Sequence, residues 1–291
     1  MPQDVLKLGI PAGSLQKATI DLFDKAGFHV ADSERSYLPS IDDEQIQPTM
    51  LRAQEMSRYV ADGVLDAGIT GYDWIMENAS DVVEVCELAY SKATSKPARW
   101  VLAVPEESKV KKTQDLKGGI VATELVNVTK KFFADRNIDV KVEFSWGATE
   151  VKARLVDAIV ELTETGTSIA ANNLRIIDTV IISTTRLIAN KQSWQDKFKK
   201  EKIENIAILL KAAIDARSKV GLKMNVEKTN LDKILKVLPA EKSPTISSLA
   251  DPNYIAVEVI IDDKIERTLV PALKRAGASG IITYPLNKVI H

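Results

Sequence analysis

Cysteine occurs once, at Cys86, and histidine twice, at His29 and His291, in a chain of 291 residues. A single thiol excludes an internal disulfide framework and a cysteine-rich zinc site. Two histidines leave almost no material for a histidine-based zinc site or a Ser-His-Asp triad. Cys86 reads as a small inert hydrophobe. No apolar run reaches the roughly 18 residues of a membrane span, and no long apolar stretch follows a basic start at the amino terminus, so neither membrane nor signal peptide is expected and the chain reads as cytoplasmic. Charge of one sign is also lacking: 39 basic residues face 40 acidic ones, a net charge of −1. Without a basic excess, nucleic acid is not an expected partner. Any bound anion has to be gripped locally, by backbone amides and a few placed cations.

What is present is an ordinary globular mixture, 45% hydrophobic and 27% charged, long enough for two or three compact units. The first two thirds interleave short apolar runs with helical stripes. Strands are predicted over 6–10, 67–70, 100–104 and 119–122, and helices over 15–26, 57–62 and 128–136. This alternation argues for an α/β fold with mostly parallel sheets. A helical connector over 201–216 leads to a different texture. Strand 221–226, helix 231–238, a further strand over 245–249, strand 254–261, helix 265–276 and strand 279–284 give the order β-α-β-β-α-β, the ferredoxin-like arrangement.

One segment carries chemistry. Residues 155–160 read as a buried strand that runs through Glu161 into Thr163-Glu164-Thr165-Gly166-Thr167-Ser168, followed by a helix over 169–174. A strand, a hydroxyl-rich turn with glycine and a helix amino terminus together favour a phosphate, because exposed N–H groups and the helix dipole point at it. Thr165, Thr167 and Ser168 add hydroxyls, and Gly166 lets the backbone approach the ligand. Glu161 and Glu164 beside this nest fit ribose hydroxyls or a magnesium ion. The bland alternative is a surface turn with a helix cap. The segment is not a Walker loop, since GxxxxGK[ST] is absent.

The full stretch VDAIVELTETGTSIAAN resembles the phosphoribosyl-pyrophosphate loop of the ATP phosphoribosyltransferase family. The likeness extends along nearly the whole chain: LGIPAGSL from Leu8, Leu51-Arg52-Ala53, YVADGVLDAGITGYD from Tyr59, Val121-Ala122-Thr123, Phe132-Phe133 and Gly147-Ala148-Thr149-Glu150. Lys223-Met224-Asn225-Val226, Leu238-Pro239-Ala240 and Ser243-Pro244-Thr245 resemble the regulatory domain of the family's long form. Two departures stand out. Val160, not a second acid, precedes Glu161, and Ala12-Gly13-Ser14-Leu15 replaces the Lys-Gly-Arg-Leu common in the family's opening segment. Lys17 or Arg52 would then have to neutralise the pyrophosphate.

The resemblance implies a two-lobed, periplasmic-binding-protein-like catalytic core with a carboxy-terminal ferredoxin-like regulatory domain. Lobe I would take 1–95 with 185–210, lobe II 96–184 with the phosphoribosyl loop, and the regulatory domain 211–291. It implies transfer of the phosphoribosyl group of phosphoribosyl pyrophosphate to N1 of ATP, the first step of histidine biosynthesis, with Mg2+ as cofactor and histidine as feedback effector. A homo-oligomer, dimer or hexamer, is also implied. Glu161 and Glu164 are the expected catalytic carboxylates. Thr165, Gly166, Thr167, Ser168 and Thr123 are expected at the phosphoribosyl donor, and Gly13, Arg52, Tyr72, Asp73 and Glu150 at ATP. Asn225, Ser243 and Thr245 are expected at the effector, although the last two also suit a turn around Pro244. Locally, Asp73 equally suits a helix cap and Glu150 a solvated acid. Trp146 and Trp194 read as packing residues rather than stacking platforms. The rival readings are a non-catalytic small-ligand-binding module and a purely regulatory protein of the same fold.

Overall fold

The computed structural model describes residues 4–33, 36–90, 97–239 and 243–290, which leaves Ala240 and His291 outside it. The chain divides into two units, Met1–Ile208 and Leu209–His291.

In the first unit the apolar runs become strands and the amphipathic stretches between them helices. The chain passes through β1 (Leu6–Ala12), α1 (Gln16–Ala26), the hairpin β2 (Val30–Ser33) and β3 (Ser36–Ile41), β4 (Ile46–Arg52), α2 (Ala53–Ala61), β5 (Ala67–Gly71), α3 (Tyr72–Glu77) and β6 (Val83–Leu88). It then builds a second layer from β7 (Ala98–Pro105), β8 (Ile120–Thr123), α4 (Val126–Ala134), β9 (Lys141–Phe144), α5 (Thr149–Lys152), β10 (Ala158–Thr163), α6 (Thr167–Ala171) and β11 (Leu174–Ser183). Strand β12 (Thr185–Ala189) and helix α7 (Lys197–Asp215) follow. The strands form two five-stranded mixed sheets, in the orders β4-β1-β5-β12-β6 and β11-β7-β10-β8-β9. The chain therefore crosses between two lobes twice, after β6 and between β11 and β12, the α/β two-lobed core expected.

Each lobe has its own core. Met56 of α2 packs on β1 and β5 so closely that a Cβ at Gly9 or Gly68 would stand 2.2 or 2.7 Å from its sulfur. In the second lobe Trp100, Leu102, Phe132, Phe133 and Val160 are buried together. The returning strand β12 is fixed by a buried polar staple. Asp66 accepts the Lys7 N–H at 2.8 Å, the Ser193 hydroxyl at 2.7 Å and the Lys199 ammonium at 2.8 Å. Burial alone would raise its pKa, but these bonds and the Lys199 charge outweigh burial and hold it below the ordinary range. A depressed carboxyl stabilises the fold above its unfolded pKa, and that contribution is lost as pH falls through the folded value. Asp66→Ala leaves the half-buried Lys199 ammonium and the buried Ser193 hydroxyl without their acceptor and is expected to cost about 2 kcal/mol in urea unfolding at neutral pH; an unchanged midpoint would show the staple to be energetically idle.

The expectation of mostly parallel sheets is corrected, since in each sheet two of the four neighbouring strand pairs are antiparallel, and several boundaries differ, three of them near the site. β10 starts at Ala158, three residues later than predicted, because residues 155–157 form a turn in which Leu155 is 80% exposed and Asp157 accepts the Ile120 N–H at 2.8 Å. Glu161 is consequently inside the strand. Helix α6 ends at Ala171 rather than Leu174, since Asn173 adopts φ 55°, a conformation that asparagine tolerates. Leu174 instead opens β11. Helix α2 starts at Ala53, directly after β4, so that Arg52 stands at a strand-to-helix corner.

The second unit contains β13 (Lys219–Glu227), α8 (Leu231–Val237), β14 (Thr245–Ser248), β15 (Tyr254–Asp262), α9 (Asp263–Arg275) and β16 (Ala278–Pro285). Its antiparallel sheet has the order β14-β15-β13-β16, which with the chain order is the ferredoxin-like arrangement. Leu222, Met224, Val257 and Leu273 lie in its core. No helix among the described residues is long and apolar enough to cross a membrane.

Candidate active site

In each lobe, parallel strands end at the same place. Strands β4, β1 and β5 run parallel, with Ala12 level with Arg52, and their carboxyl ends deliver Ala12, Arg52 and Gly71 to one cavity of about 320 Å³. From the other lobe, β8 and β10 are parallel with Thr123 level with Val160. The next residues, Glu124 and Glu161, therefore emerge side by side, and both line the cavity, as does Glu164. A cleft beyond the carboxyl ends of strands is where open α/β sheets bind ligands.

The cavity is acidic. Asp73, Glu124, Glu161 and Glu164 line it, and Arg52 is the cation among its described lining residues. Glu161 is strongly perturbed. Burial pushes its pKa from 4.5 to about 7, opposed by hydrogen bonds from the Thr149 hydroxyl and the Leu162 N–H, and the charges of Glu150 and Glu124 push it further up. The Leu162 N–H donates to Oε1 at 3.0 Å. Glu124 is likewise raised by burial, against a hydrogen bond with Gln54 of the first lobe. Two neighbouring carboxylates that repel each other in a partly dry wall have a use for positive charge. Among the described residues, however, no three His, Cys, Asp or Glu side chains are placed to hold a metal together. This donor set fits an ion that arrives on a ligand and takes one or two protein carboxylates, the usual habit of magnesium.

The floor of the cavity joins the lobes. Asp73 is buried and accepts the Trp100 indole N–H at 2.6 Å and the Ser183 hydroxyl at 2.8 Å. Burial outweighs these bonds and raises its pKa. Glu77 reaches across to accept the N–H groups of Asn127 and Val128 at the start of α4, each at 2.9 Å, where a carboxylate also meets the positive end of the helix dipole. The carboxylate of Asp73 is thus occupied by its own protein, through Trp100 and Ser183 rather than as a helix cap, since Gly71 stands at the N-cap of α3 without a side-chain cap.

The remaining expected residues distribute as follows. Thr165, Thr167 and Ser168 are exposed on the turn after Glu164, with the Thr165 and Thr167 hydroxyls 2.8 Å apart. Gly166 adopts φ +82° with nothing within 4 Å of where a Cβ would stand; the Thr163 hydroxyl accepts its N–H at 2.8 Å. Thr123 is buried, and its hydroxyl accepts the Leu125 N–H rather than facing the cavity. Gly13 has φ +87°, and a Cβ there would stand 3.0 Å from Nη1 of Arg52, so the glycine leaves the guanidinium its place beside the opening segment. Lys17 lies in a shallow depression with Gly13. Tyr72 lies under the Arg186 guanidinium, 5.4 Å from its ring centre, and is not among the cavity residues. Glu150 is half-buried near Glu161. In the second unit Ser243 and Thr245 line a cavity of about 710 Å³ with Glu258 and Tyr284, whereas Asn225 lies outside its lining.

Sequence reasoning missed Glu124, which supplies the second acid that Val160 does not. Its signal was positional: it follows shortly after the strand predicted over 119–122. Trp146 is a correction. It packs in no core but is 91% exposed, because β9 ends at Phe144 at the edge of its sheet. Trp194 is half-buried, with the Lys200 ammonium 5.3 Å from its ring centre.

Comparison with known proteins bears on this geometry. A family model described as ATP phosphoribosyltransferase matches residues 52–212, and one described as HisG, C-terminal domain, matches residues 216–288. An ATP phosphoribosyltransferase of Chlorobium chlorochromatii (strain CaD3) is 58% identical over 98% of this chain and 98% of its own length. One of Solibacter usitatus (strain Ellin6076) is 56% identical over 98% of this chain and 99% of its own. Among solved structures, a chain of the ATP phosphoribosyl transferase complex from Thermotoga maritima superposes with a TM-score of 0.62 at 26% identity, covering 72% of this chain and 99% of that one.

Proposed function

The chain belongs to the ATP phosphoribosyltransferase family, and from that premise we propose that N1 of the adenine of ATP displaces diphosphate from phosphoribosyl pyrophosphate in the cleft between the lobes, the first step of histidine biosynthesis. The C–N bond forms at the anomeric carbon as the C–O bond to diphosphate breaks, and the electron pair leaves with the diphosphate. Little covalent help is required, so positioning and electrostatic stabilisation carry the rate. One observation supports this reading above the others: Glu161 and Glu124 emerge together where the parallel pairing of β10 with β8 ends, and both line the cavity with Glu164 of the hydroxyl-rich turn 164–168.

In this reading the turn Thr165–Ser168 holds the 5′-phosphate, with Gly166 allowing the close approach. Glu161 and Glu124 face the ribose, where positive charge develops, with Glu164 beside them. Arg52 takes a phosphate of ATP or the departing diphosphate as a bidentate donor, in the place of the arginine that Ser14 lacks. Glu161 and Glu124 would hold a magnesium ion carried by the phosphates, which would supply dispersal of their charge. Thr123 shapes the β8 end through the Leu125 amide, Tyr72 and Asp73 act through the cavity floor, and Glu150 acts through the charge it places near Glu161.

The second unit fits feedback by histidine, an effector with both a cationic and a carboxylate group. The Ser243–Thr245 cavity with Glu258 offers complementary donors and acceptors, and coupling between the two sites would be reciprocal. A homo-oligomer, dimer or hexamer, would transmit it; light scattering with and without histidine measures that.

Mixing the full chain with ATP, phosphoribosyl pyrophosphate and magnesium should release diphosphate and raise the ultraviolet absorbance of N1-alkylated adenine, and added histidine should suppress both. Binding of both substrates without turnover would instead favour the non-catalytic reading. Turnover that ignores histidine would remove the regulatory role alone.

A further inference from the structure

We propose that Trp146, backed by Phe144, is a stacking platform for the purine of ATP at the rim of the cleft, and so a specificity-determining residue for the acceptor. The inference rests on the proposed transferase reading, which makes an adenine nucleotide the acceptor.

The enclosed space is the first argument. A cavity of about 320 Å³ is at the low end for a single drug-sized ligand, yet two highly phosphorylated nucleotide-like molecules have to meet here. The wall beside the cavity therefore matters as well as its floor. The second argument is an aromatic face one residue from that wall, since Trp146 precedes Gly147, which stands close to Glu124. Trp146 is 91% exposed and Phe144 50% exposed, with ring centres 4.8 Å apart at 83°. This edge-to-face pairing leaves most of the indole bare. A scattered surface hydrophobe requires no explanation, but this one is held in place.

The loop beneath it is anchored to the catalytic wall at two points and passes close to it at a third. The Ser145 N–H donates to the Thr123 carbonyl at 2.8 Å, at the end of β8. The buried hydroxyls of Ser145 and Thr149 are 2.9 Å apart, and the Thr149 hydroxyl also bonds Glu161. A Cβ at Gly147 would stand 3.5 Å from Oε1 of Glu124. Between these anchors Gly147 has φ +92° and Ala148 φ +48°, and a non-glycine residue keeps a left-handed conformation only where its surroundings over-determine it. The same few residues that place the two catalytic-wall carboxylates thus place the indole. Base-on-aromatic stacking is strong enough to shape acceptor affinity.

The test is steady-state kinetics of Trp146→Ala and Trp146→Phe in the full chain. Trp146→Ala is expected to raise KM for ATP about tenfold or more, with kcat and KM for phosphoribosyl pyrophosphate changed less than about twofold, and Trp146→Phe to recover most of the loss. Inorganic tripolyphosphate, which lacks the base, should inhibit wild type and Trp146→Ala equally. The proposal is overturned if KM for ATP is unchanged in Trp146→Ala. It is equally overturned if tripolyphosphate inhibition weakens in parallel, which marks a general distortion, or if the particle mass changes while KM for ATP does not, which makes the patch a contact between copies. Absence of turnover in the wild type would sink the transferase reading instead, and nucleotide binding by the same variants would then test the platform independently.

Discussion

Replacing Glu161 by glutamine is expected to lower kcat/KM by about two to three orders of magnitude while making the unliganded protein more stable at pH 8. Both effects have one cause. Burial, with the charges of Glu150 and Glu124 adding to it, raises the carboxyl pKa from 4.5 to about 7. A group whose pKa is raised on folding stabilises the protein below its unfolded value, and that contribution is lost as pH rises through the folded one. Between roughly pH 4.5 and 7 wild type should therefore lose stability that Glu161→Gln retains. At about 1.4 kcal/mol per pH unit, discounted for partial access to solvent, the difference at pH 8 comes to roughly 1–3 kcal/mol and vanishes near pH 4. Urea unfolding of both proteins at the two pH values measures it. Full activity in the variant, or equal stability at pH 8, would remove Glu161 from the role given to it. A ribosyl centre gaining positive charge, or a magnesium ion, repays the stored repulsion, so donor binding should release a proton near neutral pH.

Gly166→Ala is expected to raise KM for phosphoribosyl pyrophosphate by about 30-fold or more, with KM for ATP little moved and the fold destabilised by only about 1–2 kcal/mol. The glycine sits at φ +82°, where alanine is strained by about that amount. Its missing Cβ would point into open space in the free protein, so no collision adds to the strain. That space is where a phosphate oxygen has to come close to the main chain, and a methyl group there holds the phosphate off. Separate titration of the two substrates decides it. Equal changes in both KM values, or none, would mean that the donor phosphate is held elsewhere.

How far the sequence spoke for itself can be followed residue by residue. The β-α-β-β-α-β order after residue 218 was legible because each strand and helix there keeps its own period. Strand β10 and the turn after it were legible as chemistry, but its first residue was not. Leu155 and Val156 look like core, but their amides turn back to the Lys152 carbonyl and Asp157 is tied to Ile120, which takes them out of the sheet. Glu124 belongs to no local motif. It becomes Glu161's neighbour through the pairing of β8 with β10, residues far apart in the chain, and single-sequence patterns do not encode register between such strands. The same holds for Asp66, which reads as part of a turn and acts as a staple through Lys199, and for Trp146, whose exposure follows from β9 lying at a sheet edge. Arg52 was legible as a cation but not as one shielded by the absence of a side chain at Gly13.

The order of the first sheet has a consequence for how the protein is made. Strand β6 joins it only through β12, which lies between β5 and β6 but is translated about a hundred residues later. The second lobe, by contrast, is built from one uninterrupted stretch, Ala98–Ser183. During synthesis that lobe can close while its predecessor still lacks a central strand, inverting the usual amino-terminal-first order of nascent-chain folding. A chain released after Ser183 would hold every strand of lobe II beside a lobe I that lacks β12, a species for chaperones to shield.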